Sequence, residues 1–273
     1  MDSMGMAALG GVIGAALGFM IGGLGRRWMM VVATALAGAL LAPILATNLL
    51  NAESTARADR DFGAEVDAMF AENEMFLALA TVDPDAQQRM RERAIAAFET
   101  DGAARAEQVI YEEAFVLGQT ALMVYGPRTT DAALLNLQAT LLEVSRGLVT
   151  EPEHCYALLY SGVAPHNITT QQAMAAGRHP SYARMQDAMV ALVLAAGPEV
   201  VPHDPDRATL GTGEMQGFVF NNYEESRLRY FSGYQPQTDA EYAEACDAMA
   251  DLLEYQLNHE YAADMVRAGL SAG

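Results

Sequence analysis

"DAALLNLQATLLEVSRGL", residues 131–148, places apolar side chains at Leu134, Leu137, Leu141, Val144 and Leu148. Steps of three and four keep one face of a 3.6-residue helix apolar, whereas a half-buried strand would need a step of two. The same spacing recurs on both sides of this stretch. Upstream it runs through Phe62, Val66, Met69, Phe70, Phe76 and Leu77, then Met90, Ala94, Ala97 and Phe98, then Val109, Ile110, Leu117 and Val124. Downstream it returns at Met185, Met189, Leu192 and Val193, and at Tyr242, Cys246, Met249, Leu253 and Leu257. No run alternates like a strand for long, so the expected fold class is all-α.

Helix starts are marked accordingly. Asp83 before Pro84 and Asp204 before Pro205 have the form of N-caps with proline in the first turn. Thr150 with Glu153, Thr169 with Gln172 and Thr238 with Glu241 have capping-box spacing. Gly102, Gly126 and Pro127 mark turns, which predicts antiparallel helix pairs in a bundle or a short stack. Residues 197–237 interrupt the pattern with prolines, glycines and the aromatics Phe218, Phe220, Tyr223, Tyr230, Phe231 and Tyr234. This segment is expected to be irregular, with a short helix near 221–230. Its aromatics either plug the end of the bundle or form an exposed partner-binding surface.

The first fifty residues are of another kind, since Asp2, Arg26 and Arg27 are their only charges. Runs 7–25 and 28–50 are uncharged. At about 1.5 Å per residue the first run is close to a hydrocarbon core of about 30 Å and the second is long enough to cross it, which predicts a transmembrane hairpin at 1–50 and an acidic helical domain at 51–273. Gly10, Gly14, Gly18 and Gly22 recur at a spacing of four, a stripe on which another backbone can approach closely in lipid. Ala33, Ala37 and Gly38 give the second run a smaller notch. Over residues 7–50 the pair resembles the glycine-zipper two-helix hairpins of bacterial envelope proteins, a resemblance that carries no functional residues with it. The competing reading is an export signal, with Arg26 and Arg27 as its basic region and cleavage near Ala46 or Ala52.

The arginine link between the runs is expected on the cytoplasmic face of a bacterial inner membrane, which sets both termini and the helical domain on the periplasmic side. Arg57 and Arg60 count the other way. Beyond Leu50 the chain holds 34 acidic residues against 14 arginines, and lysine is absent throughout. Such a surface repels phosphate backbones, so no nucleic-acid partner is expected. Without lysine there is no P-loop lysine, Schiff base or serine–lysine dyad. Cys155 and Cys246 belong to no CxxC motif and are either disulfide partners in an oxidising compartment or two buried thiols.

Candidate chemical groups are sparse. Glu151 and His154 stand three apart, the spacing that points two metal ligands inward from one helical turn, but Glu112, Glu113, His259 and Glu260 do not repeat the motif. His203, Asp204 and Asp206 offer oxygen-rich turn chemistry, so Glu151, His154, His203 and Asp204 are the metal candidates. "GTGEMQG", 211–217, has the glycines of a phosphate loop but neither the preceding strand nor the lysine. No cofactor or catalytic residue is assigned. The expectation is a membrane-anchored accessory, scaffold or assembly subunit. It would bind lipid through the hairpin, and a membrane-protein partner or a second copy of itself. A periplasmic metal-binding or enzymatic domain, and a glycine-zipper pore, are the alternatives.

Overall fold

Asn73 shows how closely local chemistry governs this fold. In the computed structural model its side-chain oxygen accepts the N–H groups of Met75 and Phe76 at 2.9 and 3.2 Å, ending one helix and starting another. The phase of the apolar stripe is reset at that point, so Phe76 is buried while Leu77 faces water. The structure describes residues 62–81, 85–160, 172, 179–180 and 182–271. The hairpin expected at 1–50, with Gly10, Gly14, Gly18 and Gly22, lies outside the described residues. Among the described residues no helix is long and apolar enough to cross a membrane.

The described elements are α1 (Phe62–Glu72), α2 (Glu74–Ala80), α3 (Ala86–Asp101), α4 (Ala103–Tyr125), a 3-10 turn (Gly126–Arg128), α5 (Asp131–Gly147), α6 (Pro152–Tyr160), α7 (Tyr182–Leu194), α8 (Pro205–Asn222), α9 (Glu225–Phe231), α10 (Asp239–Leu257) and α11 (Ala262–Ser271). All are helical, and no strand occurs among the described residues. The fold class is all-α.

Gly102 alone links α3 to α4. Its φ of +83° with an extended ψ lies in a region that L side chains avoid, and it lets the two helices fold back on each other. Arg93 pairs with Glu113 across that hairpin, and Phe62 of α1 stacks on Phe98 of α3 with ring centroids 4.3 Å apart. Helix α5 packs against α7, α10 and α11, burying Leu134, Leu137, Leu141, Val144 and, just beyond its end, Leu148. Burial of each such side chain contributes about 2 kcal/mol.

Helix α10 is the second hub and packs against α6, α5, α8 and α9. Cys155 of α6 and Cys246 of α10 form a disulfide with Cα atoms 5.9 Å apart, 91 residues apart in the chain. Beside it Tyr160 donates its hydroxyl proton to the Ala245 carbonyl at 2.9 Å, and from the other side Tyr223 donates to the Ala248 carbonyl at 2.7 Å. Burial raises the Tyr160 phenol well above its ordinary range, and Tyr223 is raised for the same first cause.

The segment 197–237 is more helical than expected: residues 197–204 and 232–237 lie outside helices and α9 falls near the short helix expected at 221–230, but Pro205–Asn222 is a long helix where irregular structure was expected. It holds α8 and α9, with the Asp204 carboxylate accepting the N–H groups of Asp206 and Arg207 at 2.9 and 3.2 Å to start α8. Gly211, Gly213 and Gly217, three of the glycines that suggested a loop, lie inside α8, and Gly211 is one for a packing reason. A Cβ there would come within 2.6 Å of Met265 Sδ on α11, so the missing side chain lets the two helices close together. "GTGEMQG" is therefore part of a helix and not a loop.

Of the other predicted caps, Thr238 accepts the Glu241 N–H at 3.3 Å while the Glu241 carboxylate takes the Gln237 N–H at 2.7 Å. Helix α6 begins at Pro152, with the Glu151 carbonyl accepting from Cys155 at 3.1 Å, one residue later than a Thr150 cap would place it. Asp83 and Thr169 lie outside the described residues, and α3 begins after Asp85.

Candidate functional site

Glu214 and Phe218 are four apart on α8 and therefore share a face. Asp251, Glu254, Tyr255 and Asn258 follow the same rule along the end of α10. Where α8 packs on α10, these faces and the turn residues His259 and Glu260 enclose an open cleft of about 560 Å³, within the few hundred Å³ common for small-ligand sites.

One wall of the cleft is aromatic. Phe218 and Tyr255 stack with centroids 4.4 Å apart and planes 20° apart, and Tyr223 meets Phe218 edge-on at 5.8 Å. His259 is held on both nitrogens. Its Nδ1 accepts the Tyr261 N–H at 3.1 Å, which places the ring hydrogen on Nε2, where it is donated to Glu214 at 2.8 Å. The imidazole is 8% exposed and Glu214 50%, so the carboxylate is oriented from below and open above. Arg146 pairs with Glu254, and Arg227 reaches Asp251 at 3.4 Å. Glu260 is the main cause that raises the Tyr261 phenol above its ordinary range.

The aromatic residues proposed as a partner surface separate into two groups. Tyr223, Tyr230 and Phe231 are buried, which fits the packed-end alternative for these three and not the exposed-surface one. The reason is the helical phase of α8 and α9, which turns them against α10. Tyr230 donates to Glu244 at 2.7 Å, Tyr234 donates to Glu241 at 3.0 Å, and the Arg229 guanidinium lies 4.2 Å from the Tyr234 ring centre while bonding Glu241 at 3.0 Å. Glu241 is held below the usual carboxylate range, first by the Gln237 backbone N–H. Only Phe220 is well exposed, and Phe218 lines the cleft.

The structure brings Glu151 and His154 together and adds His179. His154 Nδ1 lies 2.6 Å from one Glu151 oxygen and His179 Nε2 3.3 Å from the other. The His154 bond is the main cause that lowers the Glu151 carboxyl. Both oxygens thus face imidazoles, and His203 and Asp204 belong to another part of the fold, where Asp204 caps α8. Among the described residues no three His, Cys, Asp or Glu side chains converge as a metal set.

Sequence reasoning named Phe218, His259 and Glu260, but not as one site, and missed Glu214, Asp251, Glu254, Tyr255 and Asn258. A readable signal existed in the four-residue spacing of Glu214 with Phe218 and of Asp251 with Tyr255, each a carboxylate beside a ring on one helical face. Compared with known proteins, the chain matches no family model, no curated relative and no solved structure.

Proposed function

We propose that this chain is a membrane-anchored accessory or assembly subunit that acts through protein–protein binding. The observation that carries the reading is the cleft between α8 and α10. Its wall combines carboxylates, an oriented imidazole, an amide and stacked rings, the groups with which a protein surface holds a charged partner. The anchor is the hairpin at 7–50, placed in a bacterial inner membrane with the acidic domain on the periplasmic side. The Cys155–Cys246 disulfide supports that side, because such bonds persist in oxidising compartments.

The test is purification of the tagged full-length chain in mild detergent after crosslinking in membranes, with identification of what accompanies it. A reproducible membrane-protein partner is the expected result. Release of the chain from membranes by alkaline carbonate, or a monomer without company, would overturn the reading.

A further inference from the structure

Arginine is the only basic residue besides histidine in this chain, and the fold holds its arginines in a recurring way. Arg229 lies over the Tyr234 ring and bonds Glu241. Arg227 lies 5.3 Å from the Tyr223 ring centre and reaches Asp251. In both places a planar cation rests on an aromatic face while a carboxylate takes its N–H groups, a combination suited to guanidinium because it is flat, weakly hydrated and a multiple donor.

The cleft assembles the same parts in a third place. Phe218 and Tyr255 supply the ring pair, and Glu214 and Glu260 supply the carboxylates. Among the described residues no ion pair joins an arginine to Glu214 or Glu260, whereas Asp251 and Glu254 each have one. His259 aims Glu214 from beneath, and the cleft opens to solvent on the other side. A bare metal ion would need converging ligands, which are not found among the described residues. A phosphate-bearing ligand would meet four carboxylates.

We infer that the cleft receives an arginine side chain of a protein partner, its guanidinium against the Phe218–Tyr255 pair and its N–H groups toward Glu214 and Glu260. The inference deepens the protein-binding reading and rests on it. It names the chemistry the partner must present: an arginine projecting far enough to enter a cleft, on a surface that tolerates a strongly acidic neighbour.

The experiment is saturation-transfer NMR on the full-length chain in detergent. The probes are the capped peptide acetyl-Gly-Arg-Gly-amide, its Gln counterpart, and free L-arginine. The expected result is binding of the arginine peptide with the strongest transfer to the arginine methylenes. The double substitution Glu214→Gln with Glu260→Gln weakens it by about tenfold or more. Both carboxylates are solvent-accessible, so the fold is retained, and Glu199→Gln, exposed and outside the cleft lining, leaves binding unchanged. Equal binding of the Gln peptide, indifference to the double substitution, or no peptide binding would each overturn the proposal. Tighter binding of free L-arginine than of the capped peptide would overturn the protein source. A protein partner retained equally by the natural chain and the double variant removes this site and leaves the scaffold reading standing. Peptide binding without any co-purifying partner removes the scaffold reading instead.

Discussion

Arg267 binds the carboxylate of Asp131 at 2.5 Å although 136 residues separate them, and its side chain is 2% exposed against 63% for Asp131. The same guanidinium donates to the carbonyls of Pro127 and Thr129 at 3.2 and 2.8 Å. Helix α11 is thereby fastened to the 3-10 turn and to the start of α5.

The clamp predicts unequal costs for its two ends. Arg267→Met leaves the buried Pro127 and Thr129 carbonyls without this donor and is expected to destabilise by about 3 kcal/mol. Asp131→Asn removes a mostly exposed partner and costs about 1 kcal/mol or less. Urea midpoints of the two variants are the check, and equal losses would mean that the guanidinium is not bonding the turn.

Removing the sulfur bridge is expected to cost about 4 kcal/mol, because the closed loop is long. Cys155→Ala with Cys246→Ala should therefore lower the denaturation midpoint as much as reduction does. Thiol titration of the natural protein, unfolded without reductant, should find none.

Burial holds Tyr160 and Tyr223 above the ordinary phenol value of about 10, so the folded state keeps protons that the unfolded state releases. Their contribution to stability is complete below about pH 10 and is lost as pH rises through the folded values. Ultraviolet titration should show both ionising only with alkaline unfolding. Tyr160→Phe should cost about 1 kcal/mol through the lost bond to Ala245.

Glycine substitutions should change sign with position. Gly102→Ala forces an L side chain to φ +83° and is expected to destabilise by about 1–2 kcal/mol. Gly213 lies inside α8, where a Cβ meets nothing within 4 Å, and Gly213→Ala should stabilise by about 0.5–1 kcal/mol. Thermal midpoints moving in the same direction would refute this contrast.

The Glu151 carboxyl is lowered from 4.5, chiefly by its bond to His154. Stability from this source is present above that value and is lost as pH falls through the lowered one. Glu151→Gln should lower stability at neutral pH and flatten the profile in that acid window, so that the variant and natural curves converge as pH falls. A profile steep and unchanged in the variant would show that the carboxylate is not coupled to folding.

Much of the helical architecture was readable because period and caps coincide. Leu134 to Leu148 reports one unbroken helical face, and Asp204 and Thr238 start helices where their types predict. The segment 197–237 was harder, because glycine is read as a breaker when its packing reason is a neighbour far along the chain. Gly211 is small because Met265 is there, and no local pattern carries that fact. Leu77 was misplaced for the opposite reason, since a single side-chain cap at Asn73 shifted the register of an otherwise good stripe. The cleft depends on two helices meeting, so its residues are ordinary surface acids and rings until α8 lies on α10.

Helix α11 is synthesised after every helix it touches, and its Arg267 closes a ring of contacts begun at Pro127. A ribosome must therefore deliver well over a hundred residues before the domain can lock. Until then Leu134, Leu137 and their neighbours are shielded only in part.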